Sequence, residues 1–152
     1  MSVLSSPNQA AAVPDYTSRD RTQYLALMSV SGVVLTMARW LSPSPNGWGT
    51  HQQLGLPPCF FHQMTGIPCP TCGMTTSFAH TVRLHFYEAF ITQPFGLLAC
   101  LLTMALLPLS VLLMQRRVPW MKVLTARGSN AVMYLLVALF VLAWVYKIWA
   151  MR

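Results

Sequence analysis

Residues 95–114 read FGLLACLLTMALLPLSVLLM, twenty positions without a charge. Wound as an α-helix they extend about 30 Å, the depth of a bilayer's hydrocarbon core. The uncharged run around them is longer still, from Ala89 to Gln115. Pro94 suits a first helical turn, where its missing N–H costs nothing, whereas Pro108 lies inside and is expected to kink the helix beside Ser110. Upstream, positions 22–38 carry no charge between Arg21 and Arg39, and Arg39 with Trp40 can sit at headgroup depth. The mixed charge before this run and its length favour an uncleaved anchor over a signal peptide. Downstream, 128–146 are uncharged between Arg127 and Lys147, with Ser129 or Asn130 as N-cap and Trp144, Tyr146 and Trp149 as an aromatic belt.

The expected fold is thus an all-α membrane protein with three transmembrane helices, at about 22–41, 95–114 and 128–147, in one membrane domain spanning 21–152. Residues 1–20, rich in Ser, Pro, Asn and Ala, read as a flexible N-terminal tail. Composition agrees: of 152 residues 55% are hydrophobic and 9% charged, ten Lys and Arg against three Asp and Glu. That is too little charge to cover a water-facing surface and too much apolar surface for disorder.

Basic residues give the orientation. Arg19, Arg21, Arg116, Arg117, Lys122 and Arg127 fall on one side and Arg39, Arg83, Lys147 and Arg152 on the other, so the larger group is expected in the cytoplasm. The N-terminus is then inside, residues 42–88 are extracytoplasmic, and the setting is a bacterial inner membrane. The net charge of +7 is read as topology and anionic-lipid attraction, not nucleic-acid binding, because the cations do not interleave with aromatics on one soluble face.

Chemistry is concentrated in SPSPNGWGTHQQLGLPPCFFHQMTGIPCPTCGMTTSFAHTVRLHFYEAF, residues 42–90, which holds three of the four cysteines and all four histidines. Pro57, Pro58, Pro68 and Pro70 argue against helix between them and for a stiff extramembrane knuckle over 57–73. Past Gly73 the prolines stop until Pro94. There the four-residue spacing of Phe78, Val82, Phe86 and Phe90 predicts one amphipathic interfacial helix over 75–91, capped by Thr75 or Thr76.

Cys59, then Thr65-Gly66-Ile67-Pro68-Cys69-Pro70-Thr71-Cys72-Gly73-Met74-Thr75, an interfacial helix and a Gln-Pro entry to a span resemble the small bacterial membrane proteins grouped as a domain of unknown function. Their mark is a Cys-Pro-x-Cys-Gly-x-Thr signature. The resemblance covers roughly residues 55–115. Many members carry Arg directly after the Thr, where this chain has Thr76. The resemblance implies a fold neighbourhood and a site location but no activity.

Three readings of the cysteines stay open. As ligands, Cys59-x2-His62 and Cys69-x2-Cys72 form two chelating pairs suited to one tetrahedral zinc, with Met64 and Met74 nearby as soft donors that make Cu(I) the competing metal. As redox groups, Cys69 and Cys72 form a C-x-x-C at a helix start, the catalytic pair of a membrane thiol oxidoreductase with a quinone bound among Trp40, Phe95 and Trp144. As structure, Cys59 bonded to Cys69 or Cys72 staples a loop too rich in proline for a hydrogen-bond ladder, worth about 3 kcal/mol in the chain-entropy model. Cys100 reads as a small core residue. His51, His80 and His85 read as interfacial polar residues, His80 being placed to return to the knuckle.

No paired carboxylates, phosphate loop or Ser-His-Asp set can be assembled, since Asp15, Asp20 and Glu88 are the only acids. The expected function is therefore structural or accessory: a small multi-pass protein around a cysteine knuckle, in contact with lipid and with other membrane subunits or further copies of itself. Thiol oxidoreduction is the alternative.

Overall fold

The computed structural model describes residues 15–124 and 129–150, and among these it is all helical, with no strand. Residues 1–14, 125–128 and 151–152 lie outside the described residues, and with them most of the expected tail, the expected cytoplasmic Arg127 and the expected extracytoplasmic Arg152. The helices are α1 (Ser18–Trp40), α2 (Phe60–Thr65), α3 (Met74–Thr81), α4 (Phe86–Thr92), α5 (Pro94–Gln115), α6 (Trp120–Leu124) and α7 (Ser129–Ala150), with a 3-10 turn at Thr50–Leu54.

Two of them, Pro94–Gln115 and Asn130–Ala150, are long and apolar enough to cross a membrane. These are the second and third expected spans. The first is present as α1, 23 residues long, but Gln23, Ser29, Ser31 and Thr36 dilute its apolar run and it does not join the other two. It starts earlier than expected because Thr17 and Asp20 form a capping box. The Thr17 N–H donates to the Asp20 carboxylate at 2.8 Å and the Asp20 N–H to the Thr17 hydroxyl at 3.4 Å. Residues 18–20, expected in the tail, are its first turn.

The same carboxylate accepts the Trp120 backbone N–H at 2.9 Å, and the Tyr24 hydroxyl donates to the Val118 carbonyl at 3.0 Å. These bonds join the start of α1 to the chain just beyond α5, so α1 and α5 pack antiparallel. Arg19, Arg21, Arg116, Arg117 and Lys122 gather at this end. At the other end Arg83 donates to the Ala38 and Arg39 carbonyls at 3.1 and 2.6 Å, satisfying the last turn of α1.

The single helix expected over 75–91 is two, α3 and α4, broken at Val82–His85 where Leu84 adopts φ 65°. Their buried face is also not the aromatic one. Thr76, Ser77, Ala79, Thr81, Ala89 and Thr92 are buried, while Phe86 and Phe90 are exposed. In a bilayer large apolar side chains lose nothing by facing lipid, and small ones let backbones approach. Gly96 marks such an approach: a Cβ there would lie 2.8 Å from the Ser77 Cβ. The Ser77 hydroxyl meets the Ala89 and Gln93 carbonyls at 3.0 and 3.1 Å.

The knuckle also corrects an expectation. Helix was excluded between Pro57 and Pro70, yet α2 occupies Phe60–Thr65. None of its six residues is proline, and Gly66, at φ 68°, closes it.

Candidate functional site: a three-thiol knuckle

Cys69, Pro70, Thr71 and Cys72 make a tight turn in which the Cys72 N–H donates to the Cys69 carbonyl at 2.9 Å and the Met74 N–H to the Thr71 carbonyl at 3.1 Å. Gly73 then caps α3 at φ 87°. No other residue fits: a Cβ at Gly73 would lie 2.7 Å from the Gly47 carbonyl oxygen. The motif's glycine therefore serves close approach of the 42–49 loop to the cysteine turn.

The expected grouping of Cys59, Cys69 and Cys72 is present in space. The Cys59 and Cys72 thiols both lie close enough to influence the ionisation of Cys69, whose sulfur is 3.4 Å from the Thr71 hydroxyl. All four cysteines of the chain are free thiols here. Cys59 and Cys69 are half-buried, and Cys72 is buried.

Their acidities diverge. Burial works against ionising Cys69, but the Thr71 hydroxyl, the Cys59 thiol, the Thr71 backbone N–H and the Cys72 thiol outweigh it and hold its pKa below the ordinary thiol value. Burial pushes Cys72 the other way, the neighbouring Cys69 and Cys59 charges add to it, and only Lys147 opposes, leaving a pKa of about 11.

The spans reach in to hold the turn. Trp144 of α7 donates its indole N–H to the Pro68 carbonyl at 2.9 Å, and Gln93, at the head of α5, donates its amide to the Pro70 carbonyl at 3.1 Å. Lys147, one turn past Trp144, donates to the Thr92 and Gly47 carbonyls at 2.9 and 3.3 Å. Behind the turn the Thr50 and Thr76 hydroxyls lie 2.8 Å apart, fully buried. In the sequence Trp144 reads as part of an aromatic belt and of the quinone set, Lys147 as the charge ending a hydrophobic run, and Gln93 only as the residue before the Pro94 entry to a span. The spacing of Trp144 and Lys147, three residues apart on one helix face, was the available signal.

Other expected participants stand elsewhere. His62 packs edge-on against Trp48 with ring centroids 5.4 Å apart. Among the described residues no group of three or more His, Cys, Asp or Glu side chains is arranged to hold a metal ion, so Cys59, His62, Cys69 and Cys72 do not form a four-ligand set in this arrangement. His80 turns toward His85, centroids 6.0 Å apart, and does not return to the knuckle. Cys100 is fully buried, as expected of a core residue. Trp40 lines a cleft with Arg39, Val82 and Met104, Phe95 lines another with Phe90, Leu142 and Tyr146, and Trp144 is bonded to Pro68. The three aromatics named for a quinone thus do not share one of these clefts.

Residues 59–107, 49 of the 152, match the family model described as a protein of unknown function (DUF2752). The match begins at Cys59, takes in the knuckle, α3 and α4, and ends within α5. It agrees with the resemblance to an uncharacterised family, without singling out the cysteines. No curated protein and no solved structure matches the chain.

Proposed function

We propose that this chain, whose central third matches DUF2752, is a small multi-pass membrane protein whose knuckle carries out thiol–disulfide exchange, with Cys69 as attacking thiol and Cys72 as resolving thiol. One observation carries the reading. The cysteine turn is already braced by hydrogen bonds from Trp144 and Gln93, and Lys147 ties down the Gly47 and Thr92 carbonyls beside it, so the three thiols are not required to hold the loop. The case for a purely structural staple rested on that requirement.

The chemistry follows from the unequal thiols. The Cys69 thiolate attacks a substrate disulfide, forming a mixed disulfide and expelling one substrate thiolate, which takes up a proton. Cys72, once deprotonated, attacks the Cys69 sulfur and expels the second substrate thiolate. The substrate gains two electrons, and the knuckle is left as a Cys69–Cys72 disulfide. Run backwards, the same steps oxidise a dithiol. Cys59, beside Cys69, is placed to accept the bond in a second exchange.

α1 completes a three-span bundle in this reading, despite its lower hydropathy, because its length and its antiparallel packing on α5 match a crossing. The cation-rich end faces the cytoplasm of a bacterial cell and the knuckle faces the oxidising side, where a disulfide persists. Exposed apolar faces on α5 and α7 suit partner subunits or further copies of the chain.

The test is exchange between the purified full chain in detergent and a chromogenic aromatic disulfide. Cys69→Ser should abolish thiol release, Cys72→Ser should trap the mixed disulfide in the intact mass, and Cys100→Ala should change neither. Full activity in Cys69→Ser would overturn the reading. So would one tightly held zinc per chain that protects all three thiols, which returns the knuckle to a structural role.

A further inference from the structure

Lys147 is 5% exposed, and its hydrogen-bond partners are two neutral carbonyls, those of Thr92 and Gly47. A buried ammonium bonded only to neutral groups is costly to desolvate unless an anion lies near it. Among the described residues the acids do not supply one. Asp20 is engaged with Thr17 and Trp120 at the far end of the bundle, and Glu88 acts electrostatically on His80.

What lies near is the cysteine turn. The ammonium would sit 3.2 Å from a Cβ at Gly73 and 3.8 Å from one at Gly47, so it occupies the space left by two glycines directly beside Cys72. The ionisable groups acting on Cys72 are Cys69 and Cys59 from the knuckle and Lys147 from α7. The two thiols oppose its ionisation and Lys147 favours it.

We infer that Lys147 is the positioning residue of the resolving step, its ammonium fixed by the Thr92 and Gly47 carbonyls so as to receive the thiolate that Cys72 becomes when it attacks the mixed disulfide. The inference rests on the exchange reading above and adds to it a division of labour across the bundle. The knuckle supplies the sulfurs, and α7 supplies the charge that one of them needs. During resolution the Cys72 proton leaves to solvent or to the departing substrate thiolate, the Cys72–Cys69 bond forms, and the Cys69–substrate bond breaks. Lys147 takes part as a fixed charge and transfers nothing.

The experiment uses the full chain and the same chromogenic disulfide, followed in two phases: thiol release by Cys69, then resolution by Cys72. Lys147→Met should leave the first phase within about twofold. It should slow the second by about tenfold for each pH unit by which its alkaline midpoint moves upward. Lys147→Gln, which keeps an N–H donor but removes the charge, should behave like Lys147→Met. Lys147→Arg should recover most of the second phase. A purely structural Lys147 gives a different pattern: Gln rescues, or both phases fall together with no movement of the midpoint, and either result overturns the inference. An unchanged second phase in folded Lys147→Met also overturns it. Failure of the exchange reading is seen separately, as a first phase that survives Cys69→Ser in the otherwise native chain.

Discussion

Trp144 and Pro68 are 76 positions apart in sequence and joined by one hydrogen bond, indole N–H to carbonyl at 2.9 Å. Pro68 is buried and precedes Cys69, so this bond sets where the cysteine turn begins. Trp144→Phe keeps the aromatic bulk and leaves that carbonyl unpartnered, at a cost of about 1–3 kcal/mol. A lower melting temperature in detergent, together with faster alkylation of Cys72 as its cover loosens, is the expected result.

The two glycines that flank the turn should respond very differently to alanine. Gly66, at φ 68°, has nothing within 4 Å of an added Cβ, so Gly66→Ala meets only left-handed backbone strain of about 1–2 kcal/mol. Gly73 combines φ 87° with a clash at 2.7 Å against the Gly47 backbone. Gly73→Ala should therefore displace the 42–49 loop and lower expression of folded protein sharply, measured by size-exclusion profile beside Gly66→Ala.

Alkylation against pH should separate the thiols. Cys69, held below the ordinary thiol value, reacts at lower pH than Cys72, which becomes reactive only as pH climbs toward its value of about 11. Peptide mapping after a pH series of short iodoacetamide pulses gives the order directly.

At the opposite end of the bundle, chiefly the Thr17 backbone N–H, then the Trp120 N–H and the Thr17 hydroxyl, hold the Asp20 carboxyl below its usual range. The sign follows from linkage. The contribution is fully present above the unfolded-state carboxylate pKa and is lost as pH falls through the lowered folded value. Asp20→Asn should remove this acid dependence from thermal unfolding curves, and the wild-type chain should retain it.

Periplasm-active reporters fused after residue 50 and after Arg152 should be active, and one fused after Arg117 inactive. The inverse pattern would place the thiols in a reducing compartment and remove the setting in which their disulfide persists.

The long helices were legible because a charge-free run of bilayer length leaves few alternatives, and α5 and α7 differ from 95–114 and 128–147 by only a few residues at their ends. The cysteine grouping was legible as well, since three thiols within fourteen residues (59–72) of a proline-stiffened loop have little room to separate. The inward face of α3 and α4 was not. The line through Phe78, Val82, Phe86 and Phe90 has the period of a core stripe in water, yet Phe86 and Phe90 are exposed, Phe78 and Val82 are only half-buried, and Thr76, Ser77 and Ala89 pack instead. Nor does periodicity register Leu84, whose left-handed backbone breaks the helix. The inward turn of Lys147 was not legible for a different reason. A lysine at the end of a hydrophobic run ordinarily extends to the headgroups, and only the fold shows this one turned inward against Gly47 and Thr92.

Among the described residues the packing of α7 is concentrated from Phe140 onward, where the Phe140 ring meets Phe95 edge-on at 5.1 Å, and much of its remaining apolar surface is exposed. Val132, Leu135, Val137, Leu142 and Val145 are each at least 56% exposed, whereas Ala143 and Lys147 near its far end are buried and Trp144 and Tyr146 are hydrogen-bonded to Pro68 and Ile91. A helix pinned mainly toward one end meets a thicker or thinner bilayer by changing its tilt. Since the pinned end carries the groups that seat the cysteine turn, the lipid composition of the host membrane becomes a mechanical input to the thiols. Their reactivity should then vary with acyl-chain length in reconstituted vesicles.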